Sequence, residues 1–82
     1  MDLIRSIGNA EVGVLFREKK GKERHVRVNL RSRGNIDVNE VARNFGGGGH
    51  KTASGVTFRN ISIDEVERKV IGFIKNKVSR DR

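Results

Sequence analysis

Residues 45–55, Phe-Gly-Gly-Gly-Gly-His-Lys-Thr-Ala-Ser-Gly, place four consecutive glycines in the middle of a chain of 82 residues. Ordering such a run is costly, because glycine loses more backbone freedom on folding than any other residue. A flexible linker is one interpretation, but linkers usually mix in serine, and this run leads into His50, Lys51 and Thr52. The run instead predicts an ordered loop whose backbone N–H groups converge on an anion, with those three side chains at its rim.

Two nucleotide-binding motifs are similar to this segment without fitting it. A P-loop has a glycine directly before its lysine and follows a strand. Here His50 precedes Lys51, and the apolar spacing before Gly46 is helical. The dinucleotide-binding fingerprint also follows a strand and fails for the same reason. Neither motif explains the glycines.

The hydrophobic pattern on both sides of the glycines predicts an α+β domain. Alternation of apolar and polar residues predicts three strands, at 11–17, 25–32 and 56–59. Apolar residues recurring every three or four positions predict two helices, at 37–45 and 62–78, with Asp37 and Ser62 as their N-caps. The four phenylalanines fall on these apolar positions and are predicted core, which leaves no aromatic platform for base stacking.

The element order β-β-α-β-α indicates a small two-layer domain with helices packed on a mixed sheet. The strands on either side of the first helix are expected to run parallel, joined by a right-handed crossover. Residues 1–10 are predicted to be a linker or tether, broken at Gly8-Asn9, and the domain is predicted to occupy residues 11–80.

Positive charge indicates an anionic partner. The chain has 18 basic and 10 acidic residues, a net charge of +8, and eight of the basic residues lie between Arg17 and Arg33. A solvated surface is the alternative, but this clustering favours a functional surface that faces an anion. The absence of cysteine and of any long apolar run excludes a disulfide framework, a Cys-ligated zinc site and a membrane span, and predicts a cytoplasmic protein.

Chain geometry predicts one pocket made from two segments. A helix over 37–45 rises about 13 Å, and four extended residues reach back about 13 Å. The glycines therefore return His50 toward the arginines that end the second strand. The residues predicted to line this phosphate pocket are Arg31 and Arg33 on one side and Gly46, Gly47, Gly48, Gly49, His50, Lys51 and Thr52 on the other.

The segment from Val28 to Gly55, VNLRSRGNIDVNEVARNFGGGGHKTASG, resembles the C-terminal DHH-associated domain of the DHH phosphoesterases. That family includes RecJ-type exonucleases and oligoribonuclease/phosphoadenosine-phosphate phosphatases. The resemblance is carried by Leu-Arg-Ser at 30–32 and Gly-Gly-Gly-His at 47–50. It departs from the family pattern at Asn29, where serine is frequent, and at Ser54, where alanine is usual.

The resemblance implies a role for each matching residue. Arg31 and Ser32 would contact substrate phosphate, the glycines at 47–49 would present N–H groups, and His50 would hydrogen-bond a phosphate oxygen. It also implies a separate DHH domain in the same polypeptide, which holds manganese or magnesium and carries out the hydrolysis. No Asp-His-His triplet occurs in the sequence, so we assign no catalytic or metal-binding residue here and expect the chain alone to be inactive.

The predicted function is therefore that of a substrate-binding domain. The parent enzyme is expected to hydrolyse short RNA or DNA oligonucleotides, or a nucleotide bisphosphate. The alternative is a non-enzymatic nucleic-acid-binding module, either a tRNA-binding tail similar to that of alanyl-tRNA synthetases or a generic basic RNA binder.

Overall fold

The computed structural model describes residues 2–8, 11–33 and 35–80. Within these ranges the elements follow in the order β1 (Asp2–Ile7), β2 (Val12–Lys19), β3 (His25–Ser32), α1 (Val38–Asn44), β4 (Gly48–His50), β5 (Ala53–Arg59) and α2 (Ile63–Arg80). The strands form one five-stranded sheet in the order β1-β2-β3-β5-β4, and every neighbouring pair is antiparallel. The predicted α+β class is confirmed.

The two faces of the sheet have different surroundings, because side chains alternate along each strand. One face carries buried residues such as Val14, Val28 and Val56, and both helices pack on it through residues such as Val41 and Val70. In the described part of the chain no helix covers the other face, which we call the open face. Its positions are Asp2, Ile4, Ser6, Gly13, Leu15, Arg17, Lys19, His25, Arg27, Asn29, Arg31, His50, Ala53, Gly55, Thr57 and Arg59.

The prediction of a linker over residues 1–10 is wrong for most of that segment. Asp2–Ile7 is an edge strand that pairs with β2 along its whole length. Met1, Asn9 and Ala10 lie outside the described residues. Apolar and polar residues alternate only weakly along this segment, because the charged Arg5 lies between Leu3 and Ile7 on the core side. There Arg5 forms an ion pair with Glu67 of α2 at 3.1 Å. Pairing with a neighbour, rather than burial, makes this segment a strand.

The predicted parallel pairing across the first helix is also wrong, since β3 and β5 are antiparallel. The reason is β4, a short strand within the glycine run that the sequence pattern did not predict. After α1 the chain reverses into β4, which lies beside β5 and turns into it through Lys51 and Thr52. This extra reversal changes the direction in which β5 runs, so the mixed sheet becomes fully antiparallel.

Local signals at the helix ends agree with the structure. The amide of Glu40 donates to Asp37 Oδ1 at 3.1 Å, and the amide of Glu65 donates to Ser62 Oγ at 3.2 Å, so both predicted N-caps are confirmed. Neither helix in the described residues is long and apolar enough to cross a membrane.

Aromatic packing ties the second half of the chain together. The ring of Phe45, at the end of α1, lies 5.4 Å from that of Phe58 on β5 and 5.7 Å from that of Phe73 on α2, measured between centroids. Such tilted and edge-to-face pairs stabilise a core beyond the area they bury. Phe16 is fully buried. The prediction that the phenylalanines belong to the core is confirmed.

Gly72 gives a test of the long second helix. It lies in the interior of α2 on an exposed position, and a Cβ there would meet no atom within 4 Å. Replacing glycine by alanine in a helix interior stabilises it by about 0.8–1 kcal/mol. We expect Gly72→Ala to raise the melting temperature by about 4–8 °C, measured by thermal denaturation followed by circular dichroism.

The matched control is Lys69→Ala at another exposed position of α2. Lysine and alanine have similar helix propensities, so its melting temperature should stay close to that of the wild type. If Gly72→Ala gave no gain over this control, the helix would not be continuous through residue 72.

Candidate functional site

The turn between β4 and β5 is fixed through both of its carbonyl groups. The carbonyl of Lys51 accepts a hydrogen bond from the amide of Val38 at 2.9 Å, and that of Thr52 accepts from the amide of Ser32 at 3.0 Å. These bonds join the turn to the first residue of α1 and to the last residue of β3. The side chains of Lys51 and Thr52 remain exposed at the tip of the hairpin.

Strand register places the arginine segment and the histidine in one row. Arg31 of β3 faces Ala53 of β5, and Ala53 faces His50 of β4. Directly opposed residues share a sheet face, so Arg31 and His50 flank the small Ala53 side chain on the open face. Two strand spacings separate their Cα atoms by about 10 Å, a gap that their long side chains can close around a phosphate.

Two arginines of the open face have no carboxylate partner among the described residues. Arg31 Nη1 donates to the carbonyl of Leu30 at 3.0 Å, and Arg27 Nη1 donates to Thr57 Oγ1 at 3.2 Å. Carbonyl and hydroxyl partners leave the guanidinium charges uncompensated. An anion at the centre of this face would therefore meet positive charge.

Charges farther from the centre are partly neutralised. Arg17 pairs with Asp2 at 3.5 Å and Arg59 with Glu23 at 3.3 Å, both on exposed surface. Carboxylates are therefore confined to the periphery of the open face. Of the four arginines on the open face, Arg27 and Arg31 are therefore the two without a carboxylate partner among the described residues.

The absence of a side chain at Gly55 allows the guanidinium of Arg27 to lie against β5, a contact that was not predicted from the sequence. A Cβ at Gly55 would lie 2.9 Å from Cζ of Arg27, so the guanidinium rests against the bare backbone of β5. The alternation of Arg27 with Arg31 along one strand was visible in the sequence. The close approach to Gly55 was not, because it depends on the antiparallel register of β3 and β5.

The first two glycines of the run do not form the predicted convergent loop of N–H groups. The amide of Gly46 donates to the carbonyl of Arg43 at 3.1 Å, and that of Gly47 donates to the carbonyl of Ala42 at 2.8 Å. A helix C-terminus leaves carbonyl groups without intrahelical partners, and these two amides satisfy them. Gly46 has a φ of 92°, as expected for a residue that ends a helix in a left-handed turn.

Gly49 keeps a backbone donor at the edge of the sheet. Along an antiparallel strand, the backbone N–H and C=O groups of successive residues point alternately to the strands on either side. Because the amide of Ser32 bonds to the carbonyl of Thr52, the backbone groups of even-numbered β5 residues point toward β3 and those of odd-numbered residues point toward β4. Gly49 is in register with even-numbered Ser54. Its N–H and C=O therefore point away from β5, toward the free edge of the sheet.

Ser32 and Arg33 do not join the row of Arg31 and His50. Ser32 lies on the core side of β3, and its hydroxyl donates to the carbonyl of Ile36 at 2.6 Å, which shapes the entry to α1. Its predicted side-chain contact with phosphate is not supported, because adjacent strand residues point to opposite faces. Arg33 lies beyond the end of β3 with an exposed side chain, and its amide donates to the carbonyl of Glu11 at 2.8 Å.

Ser54, where the resembled family usually has alanine, also faces the core. It is buried, and its hydroxyl donates to the carbonyl of Val38 at 2.7 Å. This bond joins β5 to the start of α1. Its effect is on the packing of the helix rather than on the open face.

The described residues offer no donor set for the manganese or magnesium that the family resemblance implies. Among residues 2–8, 11–33 and 35–80, no three His, Cys, Asp or Glu side chains come together in a way that could hold a metal ion. We assign no metal-dependent step to these residues.

Comparison with known proteins agrees with the resemblance seen in the sequence. Residues 1–79 match the DHHA1 domain. The chain belongs to the DHHA1 domain family. The matched residues include the whole of β1.

Three relatives illustrate the range of proteins that are similar to this DHHA1 domain. It is 32% identical over 78 residues to a bifunctional oligoribonuclease and PAP phosphatase NrnA of Thermus thermophilus, covering 95% of the chain and 23% of the relative. The NrnA of Mycoplasma genitalium is 37% identical over 60 residues, 73% of the chain and 18% of the relative. An A-adding tRNA nucleotidyltransferase of Aquifex aeolicus is 38% identical over 42 residues, 51% of the chain and 5% of the relative. The chain thus spans less than a quarter of the length of each.

The glycines should differ in how they tolerate a methyl group. A Cβ at Gly47 would lie 2.6 Å from Val56 Cβ, and one at Gly49, where φ is 148°, would lie 2.6 Å from Ser54 Cα. A Cβ at Gly48 would meet only Asn39 Oδ1, at 3.9 Å. We expect Gly47→Ala and Gly49→Ala each to lower the free energy of unfolding by about 1–3 kcal/mol, and Gly48→Ala to change it by less than about 1 kcal/mol.

Urea denaturation of the three variants measures these free energies of unfolding. Gly48→Ala serves as the control for the other two, because it makes the same substitution in the same run of glycines. Equal losses from all three substitutions would contradict the packing described here.

Proposed function

We propose that this chain is the substrate-binding domain of a DHH-type phosphoesterase that acts on short oligonucleotides or a nucleotide bisphosphate. The observation that carries the proposal is the row formed by Arg31, Ala53 and His50. It unites the two sequence segments by which the chain resembles the family. It also places them on a face that has uncompensated positive charge and no helix over it in the described residues.

Each group in the proposed site has a specific role. The guanidinium of Arg31 donates charge-assisted hydrogen bonds to one substrate phosphate, and His50 donates to another oxygen of the same group from the opposite side of Ala53. The outward N–H of Gly49 adds a backbone donor at the sheet edge. Arg27, held against Gly55, extends the positive surface toward a second phosphate.

Other predicted residues keep smaller roles in this proposal. The exposed side chains of Lys51 and Thr52 form the rim at the hairpin tip, and Arg33 adds charge near the end of β3. Gly46 and Gly47 contribute through the backbone shape that they allow, since their amides are used by α1. Gly48 begins β4, the strand that carries His50.

The reaction itself belongs to the parent polypeptide in this proposal. Two relatives are named as oligoribonucleases and PAP phosphatases, and the chain covers only 23% and 18% of their lengths. A DHH domain in the same polypeptide would hold the manganese or magnesium and hydrolyse the phosphoester, while this domain orients the substrate. We expect such an enzyme to be cytoplasmic, and this chain alone to be inactive with manganese and a short oligonucleotide.

Matched substitutions test the site. Removing one charge-assisted contact to phosphate should weaken binding about tenfold. We therefore expect Arg31→Ala and His50→Ala each to weaken binding of a 5′-phosphorylated dinucleotide by that factor, measured by NMR titration of the 82-residue chain.

Two control variants change the same residue types elsewhere. Arg68→Ala lies on the exposed side of α2, and His25→Ala lies at the far end of the open face. Each should change the affinity by less than about twofold, because long-range charge effects are screened by salt. Equal losses from Arg31→Ala and Arg68→Ala would reject a shaped phosphate site and favour binding through net charge alone.

A second candidate is a module that binds larger RNA without hydrolysis. It is favoured by the match to an A-adding tRNA nucleotidyltransferase and by the exposed basic loop between β2 and β3, with Lys20 and Lys22. A tRNA that binds much more tightly than the dinucleotide, with an affinity reduced by Lys20→Ala or Lys22→Ala but not by His50→Ala, would favour this function.

A further inference from the structure

The strand β1 forms the longer of the two free edges of the sheet. It is a terminal strand in the order β1-β2-β3-β5-β4, so no described strand lies along its outer side. The opposite edge is β4, which has three residues where β1 has six. An uncovered edge of this length offers backbone donors and acceptors to the strand of another molecule.

The alternation of hydrogen bonds identifies the backbone groups that are available at this edge. The amide of Arg33 bonds to the carbonyl of Glu11, directly before β2, so odd-numbered residues of β2 direct their backbone groups toward β3. The even-numbered residues of β2 therefore face β1, where they pair with its odd-numbered residues. The N–H and C=O groups of Asp2, Ile4 and Ser6 consequently point outward.

This edge lacks features that usually prevent a strand from pairing with other molecules. Its pairing with β2 is uninterrupted, so no bulge twists it away. Its two charged side chains are compensated within the chain, Asp2 by Arg17 at 3.5 Å and Arg5 by Glu67 at 3.1 Å. Ile4 on the open face is 75% exposed, more than any other large hydrophobic residue in the described part of the chain. The edge is therefore locally neutral and partly apolar on a chain whose net charge is +8.

We infer that β1 pairs with β1 of a second copy of this chain, forming a symmetric antiparallel dimer centred on Ile4. Directly opposed residues of such a pair share a sheet face, so the two open faces lie on the same side of the joined sheet. A register centred on Arg5 would oppose two like charges, which is destabilising. A register centred on Leu3 would pair only residues 2–4 of β1. The register centred on Ile4 avoids both defects.

This register is self-complementary in hydrogen bonding and in charge. Each Ile4 faces Ile4 of the second copy, and Asp2 faces Ser6 of the second copy. These are the residues with outward backbone groups, so each opposed pair exchanges both of its backbone hydrogen bonds. On the open face the two Ile4 side chains meet, and each Ser6 hydroxyl is placed to donate to an Asp2 carboxylate.

The size of the edge predicts a weak, closed dimer. β1 spans about 20 Å, and a single strand pair belongs with interfaces that bury less than about 1,200 Å². We expect a dissociation constant on the order of 0.1 mM. Pairing β1 with β1 closes the assembly, whereas pairing β1 with β4 of another copy would leave free edges and produce filaments.

Sedimentation velocity of the 82-residue chain, from about 20 µM to about 1 mM, tests the association. We expect a monomer–dimer equilibrium that shifts toward dimer when the salt is raised from about 0.15 M to about 0.5 M, because screening reduces the repulsion between two copies of net positive charge. A chain that stays monomeric throughout would overturn the inference. Species larger than a dimer that grow with concentration would also overturn it.

Two substitutions at the edge test its role. Ile4→Lys places two like charges opposite each other and should weaken dimerisation by about tenfold or more. Ser6→Pro removes an outward N–H that β2 does not use, and should prevent dimerisation while the fold is kept. Asn76→Lys adds the same charge as Ile4→Lys on the exposed side of α2, and as the matched control should change dimerisation by less than about twofold. Amide NMR spectra check that each variant is folded.

A measurement on the wild-type chain identifies the register without any substitution. In the inferred dimer, Leu3 and Arg5 of different copies form a non-hydrogen-bonded pair with Cα atoms about 4.5 Å apart, whereas within one chain they are about 7 Å apart. A mixture of isotope-labelled and unlabelled chains should therefore give an intermolecular NOE between their Hα protons. Intermolecular NOEs confined to other residues, or a dimer that persists unchanged in both folded edge variants, would overturn the inference.

Discussion

Two hydrogen bonds at one turn determine how the second half of this protein is arranged. The carbonyls of Lys51 and Thr52 accept from the amides of Val38 and Ser32, at 2.9 and 3.0 Å. Through these bonds the hairpin of β4 and β5 is joined to the start of α1 and to the end of β3. Both donors belong to residues whose positions are already restricted, one by a helix N-terminus and the other by a sheet ladder. The turn therefore fixes the register by which His50 reaches the row of Arg31.

The glycines are explained by the same arrangement. A helix must end, the chain must reverse, and the returning strand must lie close to β5, all within residues 45–50. Gly46 takes the left-handed turn, and Gly47 passes so near Val56 that a Cβ would overlap it. Gly49 combines a positive φ with close contact to Ser54. The entropy lost in ordering these residues is offset by hydrogen bonds to the helix end and by pairing with β5, so most of the run is required by the fold itself.

Much of the fold was predictable because its signals are local. The alternation in β2 and β3, the caps at Asp37 and Ser62, and the apolar stripe of α2 each depend on a few neighbouring residues. What the sequence did not reveal depends on pairing between distant segments. The strand Asp2–Ile7 exists because β2 lies beside it, and β4 consists of glycines and a histidine, residues with no strand signal of their own. Missing β4 reversed the predicted direction of β5 and with it the expected parallel pairing.

The same distinction applies to the proposed site and to the positions where this chain departs from its family. The reach of the glycine segment was enough to predict that Arg31 and His50 approach each other, whereas the face on which each side chain lies required the register. Ser32 and Ser54 both face the core, where their hydroxyls bond to backbone carbonyls of residues 36 and 38. Asn29 faces the opposite way, beside Arg31. Of the two family departures, Ser54 therefore adjusts how α1 packs on the sheet, and Asn29 is the one that lies on the open face.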